Sequence, residues 1–176
     1  GEMDGYPGPE IPGLDEVASW LDANRPADWR PGIMHGDYHL SNVMISPTGP
    51  EVAAIVDWEM CTIGDPLLDL GNMLGTWPIG PEIDDPRFAG TTFGGIGGVD
   101  GLPTPAEVVA RYAERSDRDT SAIVWYTAMA CFKLGIVLEG THARACAGKA
   151  PKPVGDLLHA TTLGLLARAH TLIAKG

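Results

Sequence analysis

Basic residues are scarce in this chain. Lys and Arg together number 12 against 23 Asp and Glu, and the formal net charge is -11. Binding a phosphate backbone depends on Lys and Arg that displace counterions, so no nucleic-acid partner is expected. An anionic membrane surface has no basic amphipathic stretch to meet. Cysteine is scarce too. Cys61, Cys131 and Cys146 are odd in number, scattered and without a C-x-x-C pair. That argues against a disulfide framework and a structural zinc site, and a reducing, cytoplasmic setting is the simplest reading. The longest apolar run, Ala122 to Phe132, is broken by Lys133 and is too short to span a bilayer. No membrane partner is therefore expected. The start carries no signal-peptide pattern. "GEMDGYPGPEIPG" has no initiator Met and reads as a loop from mid-protein, as in a fragment or a processed form.

What is there suits one compact domain. The chain has 176 residues, 44% hydrophobic and 20% charged, enough to bury a core. Residues 1–13, rich in Gly and Pro, read as a surface loop. Leu14, Val17, Ala18 and Leu21 recur at helical spacing, so a short helix is expected to Asn24, ended by Pro26 and Pro31. "GIMH", "NVMIS" and "VAAIVDW" read as three short strands, the last two joined by a "PTGP" turn. "GDP" then offers Asp65 as N-cap and Pro66 as first helical residue of a helix to about Leu74. Residues 77–103 should be irregular. "FGGIGGVDG" within them lacks the third Gly of a dinucleotide fingerprint and reads as a plain loop. Thr104, Pro105 and Glu107 form a capping box, opening a helix to about Arg115. Further helices are expected from Asp119 to about Ala147 and from Val154 to Ala174. The order is α+β: a small β region (14–76, with its flanking helices), then a helical region (104–176).

The chemistry concentrates in "HGDYHLSN", His35 to Asn42, and "IVDWE", Ile55 to Glu59. Phosphoryl transfer from ATP needs Mg²⁺ against the phosphate charge and a carboxylate at the attacking hydroxyl. Mg²⁺ takes hard oxygen ligands, and Asp37, Asn42 and Asp57 supply them. A tight hairpin turn between residues 47 and 50 would bring Asn42 and Asp57 together. The plain alternatives are a turn residue after Gly36, a strand-start turn residue and a strand-end cap.

An Asp followed five residues later by Asn, then a hairpin, then a second Asp, is the protein-kinase arrangement. With Gly36 between His35 and Asp37, and with "GDPLLDLGNM" (Gly64 to Met73) downstream, the chain resembles the aminoglycoside phosphotransferase and choline kinase superfamily. The strings "IVDWEMCTIGDPLLDLG" and "KLGIVLEGTHARACAG" look like the phosphotransferase domain attached to some acyl-CoA dehydrogenases. The resemblance implies a kinase-like fold whose C-terminal lobe spans 1–176, with ATP and Mg²⁺ as cofactors. Asp37 is then the catalytic base, or the group that orients the substrate hydroxyl, Asn42 and Asp57 bind the metal, and His35 and Asp69 support the loop. His39 would face the γ-phosphate, or else pack in the loop. Glu59 stands where kinases place the Gly of D-F-G and would join the metal shell or face solvent. The family's phosphate-covering loop, strand Lys and helix Glu have no counterpart here, so an N-terminal lobe is the missing partner and residues 1–176 alone are expected to be inactive.

The acceptor expected is a small-molecule hydroxyl. Lys133, Gly140 and Arg144 share a helical face. A cationic face suits an anionic acceptor such as a hydroxy acid or hydroxyacyl-CoA, although both side chains could simply be solvated. Two rival functions stand beside this. His35, Asp37 and His39 on one strand face would make a metal-dependent hydrolase, and a non-catalytic, pseudokinase-like binding module would need no intact triad. His142, His159 and His170 show no partner spacing and read as ordinary.

Overall fold

The computed structural model describes residues 10–77 and 100–175, and the element order is α1 (Leu14–Ala23), β1 (Gly32–Met34), β2 (Val43–Ile45), β3 (Val52–Ile55), β4 (Thr62–Gly64), α2 (Leu67–Gly75), α3 (Pro105–Ala113), α4 (Ile123–Cys146) and α5 (Lys152–Lys175). The expectations for residues 1–9 and for most of 77–103, including nearly all of "FGGIGGVDG", lie outside the described residues.

Among the described residues four short strands form, one more than the sequence pattern suggests. β2 and β3 make the expected hairpin, with Val43 opposite Ile55. β1 pairs instead with β4, Ile33 opposite Ile63, as a separate antiparallel ribbon. β4 has three residues and ends in Gly64, too little for an alternation to be seen, and only its pairing with β1 makes it a strand. Ile33 and Ile63 remain 68% and 69% exposed.

α4 is the axis of the domain. Val17 and Leu21 of α1 and Leu165 and Ala169 of α5 pack with Ala128 and Cys131 in one cluster, while Leu67, Leu70 and Leu74 of α2 gather on Tyr126 in another. By length and composition alone α4 could cross a membrane, at a mean hydropathy of 1.4. Here α1, α2 and α5 pack against it, burying Ala128, Cys131 and Tyr126 among others, while Val137 stays exposed. Gly71 lets α2 approach closely: a Cβ there would lie 2.5 Å from the Tyr126 carbonyl oxygen. Burial pushes the Cys131 thiol up to about 11, and all three cysteines are free thiols.

Polar groups tie the helices at their ends. The capping box at Thr104 and Glu107 forms, and its hydrogen bonds hold the Glu107 carboxyl below the usual range. The buried Arg168 guanidinium donates to the carbonyls of Leu74 (3.1 Å) and Trp77 (2.8 Å), placing a cation at the C-terminal end of α2. Asp65 accepts from the Leu67 N–H at 3.1 Å, as a cap does. It does more than cap, because its other oxygen accepts the Tyr126 hydroxyl at 2.5 Å and Arg118 lies 3.7 Å away. Burial, and then the bond to Asp65, raise the Tyr126 phenol above its ordinary value. Tyr126→Phe removes this donor from a buried carboxylate and should cost about 1–3 kcal/mol. A denaturant midpoint equal to that of the parent would show the bond to be dispensable.

Candidate active site

The loop after β1 is built from below by α2. Gly36 takes φ +87°, and a Cβ there would stand 2.4 Å from the Met60 carbonyl oxygen, so only glycine fits this turn. The Asp69 carboxylate accepts both successive backbone N–H groups of the turn, His35 at 2.6 Å and Gly36 at 2.9 Å. One helical turn on, the Asn72 amide donates to the Tyr38 carbonyl at 3.0 Å. Lys133 of α4 reaches across to the Gly36 carbonyl at 3.1 Å. Three side chains from two helices thus hold the backbone on which Asp37 sits.

His35 is buried beneath the loop, and both ring nitrogens are in use. Nδ1 accepts the Asp37 N–H at 3.3 Å and Nε2 donates to the Val56 carbonyl at 2.8 Å, which requires the Nε2–H tautomer. The ring packs against Trp58 with centroids 4.7 Å apart. A metal bound by His35, Asp37 and His39 would have to displace these bonds, and the turn at Gly36 breaks the continuous strand that the hydrolase reading needs. The structure corrects that reading.

Asn42 is buried. Its amide N–H donates to the Asp37 carbonyl at 2.9 Å and lies 3.5 Å from His39 Nε2, which leaves Oδ1 as its ligand-competent atom. The Asn42 carbonyl accepts the Val56 N–H at 3.0 Å. The hairpin therefore places Asn42 beside the residue preceding Asp57. Asp57 is exposed and is the one non-glycine residue with positive φ among the described residues, at 68°. Asp tolerates this conformation better than most residues, and the turn carries the chain away from β3 in a new direction. His39 Nε2 lies 3.4 Å from Asp37 Oδ2, so these two side chains share one pocket of space at the mouth of the loop. The oxygens of Asn42 and Asp57 are the hard donors that Mg²⁺ takes.

The remaining candidates divide. Lys133 is exposed, and its ammonium donates to the loop backbone at Gly36. Arg144 is exposed on the same helix, eleven residues or about 16 Å further along, and is not brought to the loop. Gly135 packs α5, with Thr162 at 3.5 Å from an added Cβ, whereas Gly140 faces open space. Glu59 is exposed in the single turn Trp58–Met60. Sequence reasoning passed over Asn72 and the loop contact of Lys133. The i, i+3 spacing of Asp69 and Asn72 on one helix face was the available signal; for Lys133 there was none.

Comparison with known proteins places the chain in a family. The family model described as phosphotransferase enzyme family matches residues 4–108. The chain is 30% identical over 146 residues to acyl-CoA dehydrogenase family member 11 of Gallus gallus, covering 80% of this chain and 18% of that protein. It is 31% identical over 144 residues to the Rattus norvegicus protein of the same name, covering 78% and 18%. Similarity to the probable acyl-CoA dehydrogenase IBR3 of Arabidopsis thaliana runs at 26% over 175 residues, 92% and 21% of the two chains. A crystal structure from Ralstonia eutropha JMP134, described as that of a putative aminoglycoside phosphotransferase, superposes with a TM-score of 0.74 at 28% identity, covering 97% of this chain and 52% of that one. The fold is kinase-like, and the chain belongs to the phosphotransferase enzyme family. It spans about a fifth of the curated relatives it matches and about half of the solved chain.

Asp69→Asn leaves an amide facing two N–H donors with one acceptor in place of two. We expect a loss of about 1–3 kcal/mol in a denaturant titration. Amide exchange at His35 and Gly36 should accelerate by more than the global loss accounts for. Exchange at those two amides unchanged from the parent would mean that the loop holds its shape without the carboxylate.

Proposed function

We propose that this chain is the C-terminal lobe of an ATP- and Mg²⁺-dependent small-molecule phosphotransferase, which moves the γ-phosphate to an acceptor hydroxyl. The observation that supports the reading is the loop clamped by Asp69, on which the Asn42 amide bonds the Asp37 carbonyl and the hairpin sets Val56, the neighbour of Asp57, against Asn42. Asp37, on the clamped turn, takes the proton of the attacking hydroxyl. The new bond forms to the γ-phosphorus as the bond to the departing ADP oxygen breaks. His39 sits beside Asp37 and meets the incoming phosphate. Asn42 Oδ1 and the Asp57 carboxylate would hold Mg²⁺, which would offset the phosphate charge. His35 keeps the loop and the Asp57 turn in register through its two backbone bonds. An N-terminal lobe would complete the nucleotide cleft. The chain's coverage of about half of the solved relative supports this, as do the apolar side chains left exposed on the strands, among them Ile33, Ile63, Met44 and Val52.

For the acceptor, a hydroxy acid or hydroxyacyl-CoA is the class we favour. The relatives named as acyl-CoA dehydrogenases point to acyl substrates. Lys133 and Arg144 present positive charge along one face over about 16 Å, a length suited to an extended anionic molecule. A polycationic aminoglycoside would be repelled there.

The test is MgATP-dependent phosphate transfer by the full-length protein to hydroxy acids, hydroxyacyl-CoAs and aminoglycosides, with Asp37→Asn as control. Loss of the base should lower kcat by about 10²–10⁴-fold, and a control as active as the parent would refute the assignment of Asp37. Arg144→Ala should raise KM for the anionic acceptor with kcat little changed. An unchanged KM would remove Arg144 from the acceptor site.

A further inference from the structure

On the far half of α4, two helical turns beyond Lys133, three side chains that the sequence reading treated as ordinary or passed over come together. Glu139 is fully buried and His142 nearly so. His142 Nδ1 lies 2.8 Å from Glu139 Oε1, and His159 Nδ1 from α5 lies 2.9 and 3.0 Å from Oε1 and Oε2. The imidazoles stack with centroids 4.4 Å apart at 26°. All three ligand atoms lie within 4.8 Å of one another.

We infer that Glu139, His142 and His159 form a binding site for a divalent transition-metal ion of the zinc type, joining α4 to α5. Four observations support this. The donor set is a carboxylate and two imidazoles, which suits such an ion. Glu139 and His142 make a Glu-x-x-His pair on one helix with a further ligand from its neighbour, a recurrent way to build metal sites between packed helices. The separations are close to what an ion needs: tetrahedral ligands each about 2.1 Å from it lie about 3.4 Å from each other, so the 2.8–3.0 Å contacts to Glu139 would open by about half an ångström. Finally, the surroundings hold the ligands in place. His142 Nε2 faces Cys146 Sγ at 3.4 Å and Asp156 Oδ1 at 4.0 Å, acceptors for the ring N–H once Nδ1 is given to a metal. Gly155 permits the approach of α5, since a Cβ there would lie 2.4 Å from the Ala145 Cβ. One turn later His159 arrives at Glu139.

The alternative is a hydrogen-bonded triad with no metal, in which each imidazole Nδ1 bonds the Glu139 carboxylate, and zinc titration separates the two.

The experiment is calorimetric titration of ZnCl₂ into the full-length protein after chelator treatment, without nucleotide, with thermal melting in parallel. The expected result is one equivalent bound at micromolar concentration or below, together with a raised Tm. His159→Gln, at the rim of the cluster, and His142→Gln should each lower the affinity by at least about tenfold and abolish the Tm rise. Asp57→Asn, at the phosphotransfer site, should bind Zn²⁺ as the parent does. No saturable binding by the parent, or equal binding by the parent and both histidine variants, overturns the proposal.

Discussion

The turn after β1 depends first on one carboxylate. Asp69 accepts two consecutive backbone N–H groups from a turn that only Gly36 can make. Charge-assisted bonds of this kind are about twice as strong as neutral ones, and these two are directed at the peptide units on either side of a sharp bend. The position of Asp37 is therefore set by α2, a helix that contributes nothing to the reacting atoms in the mechanism proposed. α2 in turn is placed by Leu67, Leu70 and Leu74 against Tyr126, and by the close approach at Gly71.

α4 extends the same logic. It carries the apolar surface on which α1, α2 and α5 rest, and it sends Lys133 to the Gly36 carbonyl. One helix thus builds the core and braces the loop. Its C-terminal half carries the Glu139 and His142 cluster, which α5 completes. The hairpin works differently. It brings Asn42 and Val56 together by ladder geometry, and the positive φ of Asp57 turns the chain out of the strand. His35 joins the two arrangements, since one ring touches both the Asp37 and the Val56 peptides.

Much of this was legible in the residues. The helix expected over Leu14–Asn24 forms over Leu14–Ala23, and the capping box at Thr104 and Glu107 is present. Amphipathic spacing and caps are local signals that packing here does not override. The long helices likewise lie within a few residues of their expected bounds. β4 was not legible, because three residues carry no period and strand character came from a partner distant in sequence. Asp65 was read as a cap; its bond to Tyr126 spans 61 residues, a separation that no local pattern reports. For the same reason Lys133 and Arg144, equivalent on a helical wheel, have different surroundings. A wheel records angle and not the distance along the axis.

The sequence by itself determined the family, the kinase-like class of fold and the order of the loop, hairpin and helices, because H-G-D, the Asn five residues after the Asp, the second Asp and the caps act through short-range geometry. Only the tertiary structure decided which side chains meet across elements: Asp69 under the turn, Lys133 over it, Arg168 at the end of α2, and His159 beside Glu139. Those meetings depend on how closely helices approach and on their relative rotation. Both are set by the packing of the whole core and by glycines whose purpose is visible only once a neighbour is in place.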